Sequence, residues 1–163
     1  MPRGIVIPWD RAQAIRLQEF NGLDDYQKAV GGLIEHVELL TPAPAGIFLN
    51  EEGRLHQADF NPRATLLLMV HNQAFLYGGA KLLGDVVVIG PVDDEGETLD
   101  VPGYYEELLL HTTEYKVEVQ TMDNSEAWNT NQRRFTEMEE AYHFGVDLAY
   151  RWTAVERVRV SAA

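Results

Sequence analysis

The sequence predicts an α+β fold, a mainly antiparallel sheet built from β-hairpins with two to four helices packed on it. Three observations carry this expectation. Short apolar runs such as Gly4–Ile7, Gly46–Leu49 and Val86–Ile89 have the length of strands and end on turn residues. The pattern Asx-x-x-Gly occurs at Asn50-Glu51-Glu52-Gly53 and again at Asp93-Asp94-Glu95-Gly96, and it suits a type I turn followed by a left-handed glycine, a common hairpin connection. Stretches of helical periodicity with capping residues are interspersed among the hairpins.

Taken in order, Gly4 to Pro8 reads as a short strand, ended by Pro8 and the turn around Asp10. Ala14 to Phe20 alternates, with Ile15 and Leu17 on one face and Arg16 and Gln18 on the other, so the two form a hairpin. Asn21 or Gly22 opens a short helix that runs to Val30 and closes at Gly31-Gly32. Asp24 and Asp25 fall in its first turn, where the helix dipole favours negative charge. A strand through Ile34, Val37 and Leu39 follows, then the proline-stiffened loop Thr41 to Gly46. Gly46–Asn50 and Arg54–His56 are expected to pair across the first Asx-x-x-Gly turn. Asn61-Pro62 marks a helix start, with Asn as N-cap and Pro at the first helical position. One helix is predicted from there through Tyr77, ended by Gly78-Gly79.

Asp85–Ile89 and Thr98–Val101 are expected to pair across the second turn, and Gly103–His111 reads as a shorter helix. Tyr115 to Val119 alternates as a strand. Asp123 with Glu126 resembles a capping box and predicts the longest helix, with a stripe through Trp128, Phe135, Met138, Tyr142, Val146 and Ala149. Core packing is the expected role of Trp128, Tyr142 and Trp152. The last strand places Trp152, Ala154, Glu156, Val158 and Val160 on one face. No linker divides the chain. The best boundary lies near Val101-Pro102-Gly103, so residues 1–101 read as an α+β core and 102–163 as a helix-strand-helix-strand extension of the same domain.

At 163 residues, 45% hydrophobic and 24% charged, the chain has globular rather than disordered composition. It has no cysteine, which excludes disulfides and thiolate zinc sites. The longest apolar runs, Leu66–Val70 and Val86–Ile89, fall far short of the ~20 residues of a membrane helix. Ile5–Ile7 is too short for a secretory signal. A soluble, cytoplasmic protein with no membrane contact is the expectation.

Charge is the least ordinary feature, with 26 acids against 13 bases and a formal net of −13. The excess is local. From Ala29 to Gln132 there are 17 acids and four bases, Arg54, Arg63, Lys81 and Lys116, whereas the flanks are balanced. Leu82 to Tyr115 carries no Lys or Arg. Such a field repels nucleic acid and anionic membrane and favours a basic protein partner. Asp93, Asp94, Glu95, Glu97, Asp100, Glu106 and Glu107 are therefore the candidate partner-binding residues, with Tyr104 and Tyr105 beside them. The plainer reading is that the acids keep the protein soluble.

Motifs of chemistry are missing. The five histidines show no metal-ligand spacing, and no GxSxG, Walker A or GxGxxG pattern occurs, so no metal, no cofactor and no catalytic residue is assigned. The acids at 93–97 do not match a calcium loop. Asn50, Asn61, Arg63 and Thr65 lie at turn and helix-start positions where backbone N–H groups are available, which makes them candidate ligand-binding residues. Their simpler roles are a turn for Asn50 and a helix cap for Asn61.

Val30-Gly31-Gly32-Leu33-Ile34-Glu35, Asn50-Glu51-Glu52-Gly53, Asn61-Pro62-Arg63-Ala64-Thr65 and Gly84-Asp85-Val86-Val87-Val88-Ile89-Gly90 follow one another at characteristic spacing. Over residues 4–101 the chain resembles a small uncharacterised domain family of actinobacteria, their plasmids and their phages. The resemblance implies a phage or mobile-element setting and no catalytic residues. In that setting the charge favours an acidic accessory protein that binds and modulates a host protein, such as a nucleic-acid-binding enzyme, by a plain acidic interface or by imitating DNA. A small-ligand, nucleotide-like binder is the second reading, and an enzyme with a scattered acid–base site the third. Edge strands, the last one above all, could pair with a second copy to form a homo-oligomer.

Overall fold

The three apolar runs that announce strands become the centre of one sheet. The computed structural model describes residues 1–163. Its first sheet runs β2-β1-β5-β4-β3, formed by β1 (Arg3–Ile7), β2 (Arg16–Glu19), β3 (Ile34–Leu39), β4 (Ala45–Asn50) and β5 (Val86–Ile89), with every neighbour antiparallel. The inner strands β1, β5 and β4 are buried on both faces, which is why they read as continuous apolar runs rather than alternating ones. Register puts Ile5, Val88 and Ile47 side by side on one face, and Val6, Val87 and Phe48 on the other. The second face is closed by α1 (Leu23–Val30) through Tyr26 and Val30, together with Phe20.

The first face meets the rest of the chain. Here lie α2 (Pro62–His71), α3 (Gln73–Leu76), α4 (Gly103–Leu110) and α5 (Met138–Arg151). A second antiparallel sheet, β7-β6-β8, is built from β6 (Tyr115–Thr121), β7 (Asn124–Thr130) and β8 (Val155–Ala162), with α5 packed on it. Gly145 lets α5 come close, since a Cβ there would stand 3.1 Å from a Val158 methyl. One cluster of 30 buried residues runs from Ile5 and Val88 through Leu67 and Tyr105 to Val117 and Val160, so both sheets share a single core. No helix is long and apolar enough to cross a membrane.

Four local expectations are corrected by tertiary context. Arg54–His56 is not a strand, because both edges of β4 are already taken by β3 and β5, and the chain turns from Glu51 to Gln57 instead. For the same reason Thr98–Val101 does not pair with β5. Residues 90–101 fold on themselves as a short arm bridged at Val92 and Thr98. The helix predicted through Tyr77 breaks at Asn72, whose extended backbone ends α2, whose Oδ1 caps α3 at Ala74, and whose Nδ2 donates to the Glu38 carbonyl of β3 at 2.9 Å. The Asp123–Glu126 signal does not start a helix. Asp123 sits in the turn after β6 and Glu126 lies in β7, because the edge of β6 outcompetes a local cap, and α5 begins only at Met138.

The last strand also changes phase. Thr121 opposes Val155 while Gln120 opposes Arg157, so Glu156 bulges out and Val155, Val158 and Val160 are buried in place of strict alternation. Tyr142 is fully buried, but Trp152 stays 45% exposed and Trp128 lies under the Arg159 guanidinium at 4.0 Å. The outer edge of β8 carries two side-chain contacts. Its Glu156 and Val160 carbonyls accept from Gln73 Nε2 and Tyr104 Oη.

Gly90 controls where the arm leaves β5. Its N–H donates to the Leu99 carbonyl at 3.0 Å, and a Cβ there would stand 2.6 Å from that oxygen and closer still to the Asp100 carbonyl. Gly90→Ala should therefore cost about 3 kcal/mol, the upper part of the overpacking range, because the obstacle is backbone. In a chain of this size that is a melting temperature lower by about 6–10 °C in a thermal scan. A shift under about 2 °C would show that the arm has room to move.

Candidate functional site

The arm is the first candidate, and its shape follows from Asp93. That carboxylate turns inward, where Oδ1 accepts from the N–H groups of Glu95 and Glu97, both at 2.9 Å. Asp93 N–H donates to the Glu97 carbonyl at 2.8 Å and Gly96 N–H to the Asp93 carbonyl at 3.1 Å, with Gly96 at φ 83°. Asp93 is thus spent on building a tight turn. The turn holds Asp94, Glu95 and Glu97 on the surface with their carboxylates free of ion pairs.

Asp100 and Glu106 are differently placed. The base of the arm runs beside β1, with Val101 N–H on the Arg3 carbonyl at 2.8 Å and Arg3 N–H on Asp100 Oδ1 at 2.8 Å. Arg3 also donates through its two terminal nitrogens to the two carboxylate oxygens of Glu106, at 3.3 and 3.2 Å. This fork-to-fork pairing neutralises Glu106 and offsets Asp100 locally. Glu107 on α4 is exposed and unpaired. The seven acids thus divide into four free carboxylates, one turn-former and two partners of Arg3.

The four polar candidates are spread over different tasks. Asn61 is fully buried, with Nδ2 donating to the Ile7 and Gly84 carbonyls at 2.9 Å each and Oδ1 accepting from Ala64 N–H at 3.0 Å. Thr65 Oγ1 donates to the Asn61 carbonyl and accepts from Leu82 N–H. Arg63 donates through Nη2 to the carbonyls of Pro8, Asp10 and Gln13, and burial lowers its pKa from the ordinary arginine value. Asn50 Oδ1 accepts from Glu52 N–H at 2.9 Å and shapes the turn after β4.

Asn50 also lines a concavity of about 510 Å³ between β3–β4, α3 and the loop 78–83. Sequence reasoning missed its two bases, Arg54 and Lys81, which neither lie in a motif nor neighbour each other in the chain. What signal there was lay in their rarity, since they are two of only four bases in the acidic middle. Thr65 lines a neighbouring groove of about 540 Å³ between α2 and α5, and Lys81 reaches toward it over the Phe60 ring at 5.8 Å. No three His, Asp or Glu side chains come together to hold a metal ion.

The strongly perturbed titratable groups form one cluster around His71. His71 is fully buried among the edges of Tyr104, Tyr105 and Tyr142. A carbonyl can only accept, so Nδ1–H donates to the Thr41 oxygen at 2.8 Å and the bare Nε2 accepts from Tyr142 Oη–H at 2.5 Å. Burial brings the imidazole pKa down to about 4, although the Thr41 carbonyl pulls it upward. Burial also lifts the phenols, Tyr104 to about 12 and Tyr105 and Tyr142 likewise upward. The cluster ties the loop after β3 to α2, α4 and α5 and, through Tyr104, to β8.

Residues 3–113 match the family model of DUF3846, a domain of unknown function, and the segments Val30–Glu35, Asn50–Gly53, Asn61–Thr65 and Gly84–Gly90 all lie within the matched range. No curated protein and no solved structure matches the chain.

Proposed function

The chain belongs to the DUF3846 family, a domain of unknown function, and on that footing we propose that it is a non-catalytic accessory protein that docks on a basic surface of a host protein. The observation that supports this best is the arm tip. Asp94, Glu95 and Glu97 are exposed and unpaired on a turn that Asp93 makes rigid, in a stretch with no Lys or Arg from Leu82 to Tyr115. A turn whose backbone is set before contact loses little backbone entropy on binding, and a field of one sign steers an oppositely charged partner. Imitation of duplex DNA is a special case of this reading. Because Arg3 engages Asp100 and Glu106 beside the arm, the plain acidic interface is the version carried here. The role belongs to the host cytoplasm, among nucleic-acid-binding enzymes whose own sites are basic.

The test is capture from host extract with the wild type and with the Asp94→Asn, Glu95→Gln, Glu97→Gln variant. A protein held at about 50 mM salt should be released at about 300 mM, where the Debye length drops well below 10 Å. The neutralised variant should hold it at least tenfold more weakly. Equal capture by the variant at low salt would remove the arm from the interface. Displacement of the captured protein by duplex DNA distinguishes the DNA-imitating version from the plain one.

A further inference from the structure

We infer that a small pocket between the arm and α1 takes one lysine or arginine side chain of the partner protein; this rests on the acidic-interface reading and names what the partner presents. The pocket holds about 220 Å³, below the roughly 300–1,000 Å³ of small-molecule sites and of a size for a single long side chain. Leu23 and Tyr26 reach it from α1, Ile34 and Phe48 from β3 and β4, and Glu97 and Thr98 from the arm.

Two independent observations select the occupant. The first is charge. Glu97 is the only Asp, Glu, Lys or Arg in the lining, and its carboxylate forms no ion pair. Asp24 and Asp25, in the first turn of α1, offset the positive end of that helix, which would otherwise oppose a cation. The second is a polar group without a partner. Tyr26 is only 5% exposed, with its ring stacked on Phe20 at 4.6 Å and set against Phe48 at 4.8 Å. Its hydroxyl is buried and makes no hydrogen bond of normal geometry within the chain. That hydroxyl lies near the Thr98 side chain, which draws the phenol pKa down, while burial first and then Asp25 and Asp100 raise it. A neutral phenol oxygen in a negative field calls for a donor. Lysine and arginine heads carry donors only, so one such head serves Tyr26 Oη and the Glu97 carboxylate while its methylene stem covers Leu23 and Ile34. Leu23, 56% exposed in the free chain, then has apolar surface to meet.

Titration of isotope-labelled protein at low salt with the peptide acetyl-Gly-Arg-Gly-amide, or its lysine counterpart, tests this without any host protein. The backbone amides of Leu23, Gly96 and Thr98 should shift, with Kd of about 1–10 mM for one side chain in one pocket. The citrulline peptide, similar in shape but uncharged, should bind about tenfold more weakly, and Glu97→Gln should weaken the arginine peptide as much. Tyr26→Phe removes only the unpaired hydroxyl. It should weaken binding about fivefold while the denaturation midpoint holds or rises. Glu156→Gln alters an exposed acid on β8 and should bind as the wild type does. The inference is overturned if citrulline binds as well as arginine, if the shifts centre away from the pocket, or if either Tyr26→Phe or Glu97→Gln binds like the wild type. In host extract, Leu23→Ala keeps every acid of the arm and should weaken capture about fivefold. Capture equal to that of the wild type overturns the anchor and leaves the acidic interface standing. Peptide binding with no capture from extract speaks against the accessory reading alone.

Discussion

Asn61→Ala is expected to destabilise the protein by about 3–5 kcal/mol, the largest loss from a single polar side chain in the chain. Three bonds disappear together. The N-cap of α2 is lost, which costs about 1 kcal/mol in most helices. The Ile7 and Gly84 carbonyls each lose the Nδ2 donor, and an interior polar group left unpaired costs about 1–3 kcal/mol. The site cannot be repaired cheaply because Asn61 is fully buried where β1 ends, α2 begins and the loop enters β5. Asn61→Ser should recover about 1 kcal/mol by capping alone. Asn61→Asp keeps the acceptor for Ala64 but faces a carboxylate toward two carbonyl oxygens, so it should be as damaging as Ala at neutral pH and milder in acid. Urea denaturation of the three variants measures this. A loss below about 1 kcal/mol for Asn61→Ala would mean that water reaches both carbonyls.

Acid should weaken the protein through His71 by up to about 3 kcal/mol. The folded imidazole has its pKa depressed by burial to about 4, against 6.5 for the ordinary value. Between these values the unfolded chain takes up a proton that the folded chain refuses. The contribution is therefore fully present above about pH 6.5, is lost progressively as pH falls toward about 4, and does not decline further below that. A gap of this width corresponds to about 3 kcal/mol at the rate of ~1.36 kcal/mol per unit. Carboxylates also titrate in acid, so the measurement is a difference. Stability of the wild type from pH 7.5 to 4.5 should fall by up to that much more than stability of His71→Gln, which carries no titratable ring. Imidazole nitrogen shifts should show a neutral Nδ1–H tautomer well below pH 6. A His71 midpoint near 6.5 would falsify this account of the cluster.

How much was legible from residues alone depended on how local the physics was. The α+β class, the cap at Asn61, the left-handed Gly31 closing α1 and the helix Gly103–Leu110 rest on interactions within a few residues, and each of these features is present. The errors lie where a local signal competed with a distant partner. Asp123–Glu126 has the pattern of a cap, but the open edge of β6 draws the segment into β7. Arg54–His56 and Thr98–Val101 have strand-like neighbours, yet β4 and β5 have no edge left to offer. The candidate residues follow the same rule. Asp93 and Asn50 can be read as turn-formers from sequence, whereas the pairing of Arg3 with Asp100 and Glu106 spans about a hundred residues and leaves no trace in the local pattern.

The sequence by itself determined the class of fold, the positions of most strands and helices, and the concentration of negative charge between Ala29 and Gln132. Composition and short-range periodicity are enough for these, because they need no knowledge of what lies across the core. Only the tertiary structure decided which acids stay free, which are neutralised, and that Arg54 and Lys81 line one concavity. It also decided that His71 is buried beyond reach of solvent. Each of these depends on strand order, and strand order is set by which edges remain open once the inner strands have paired.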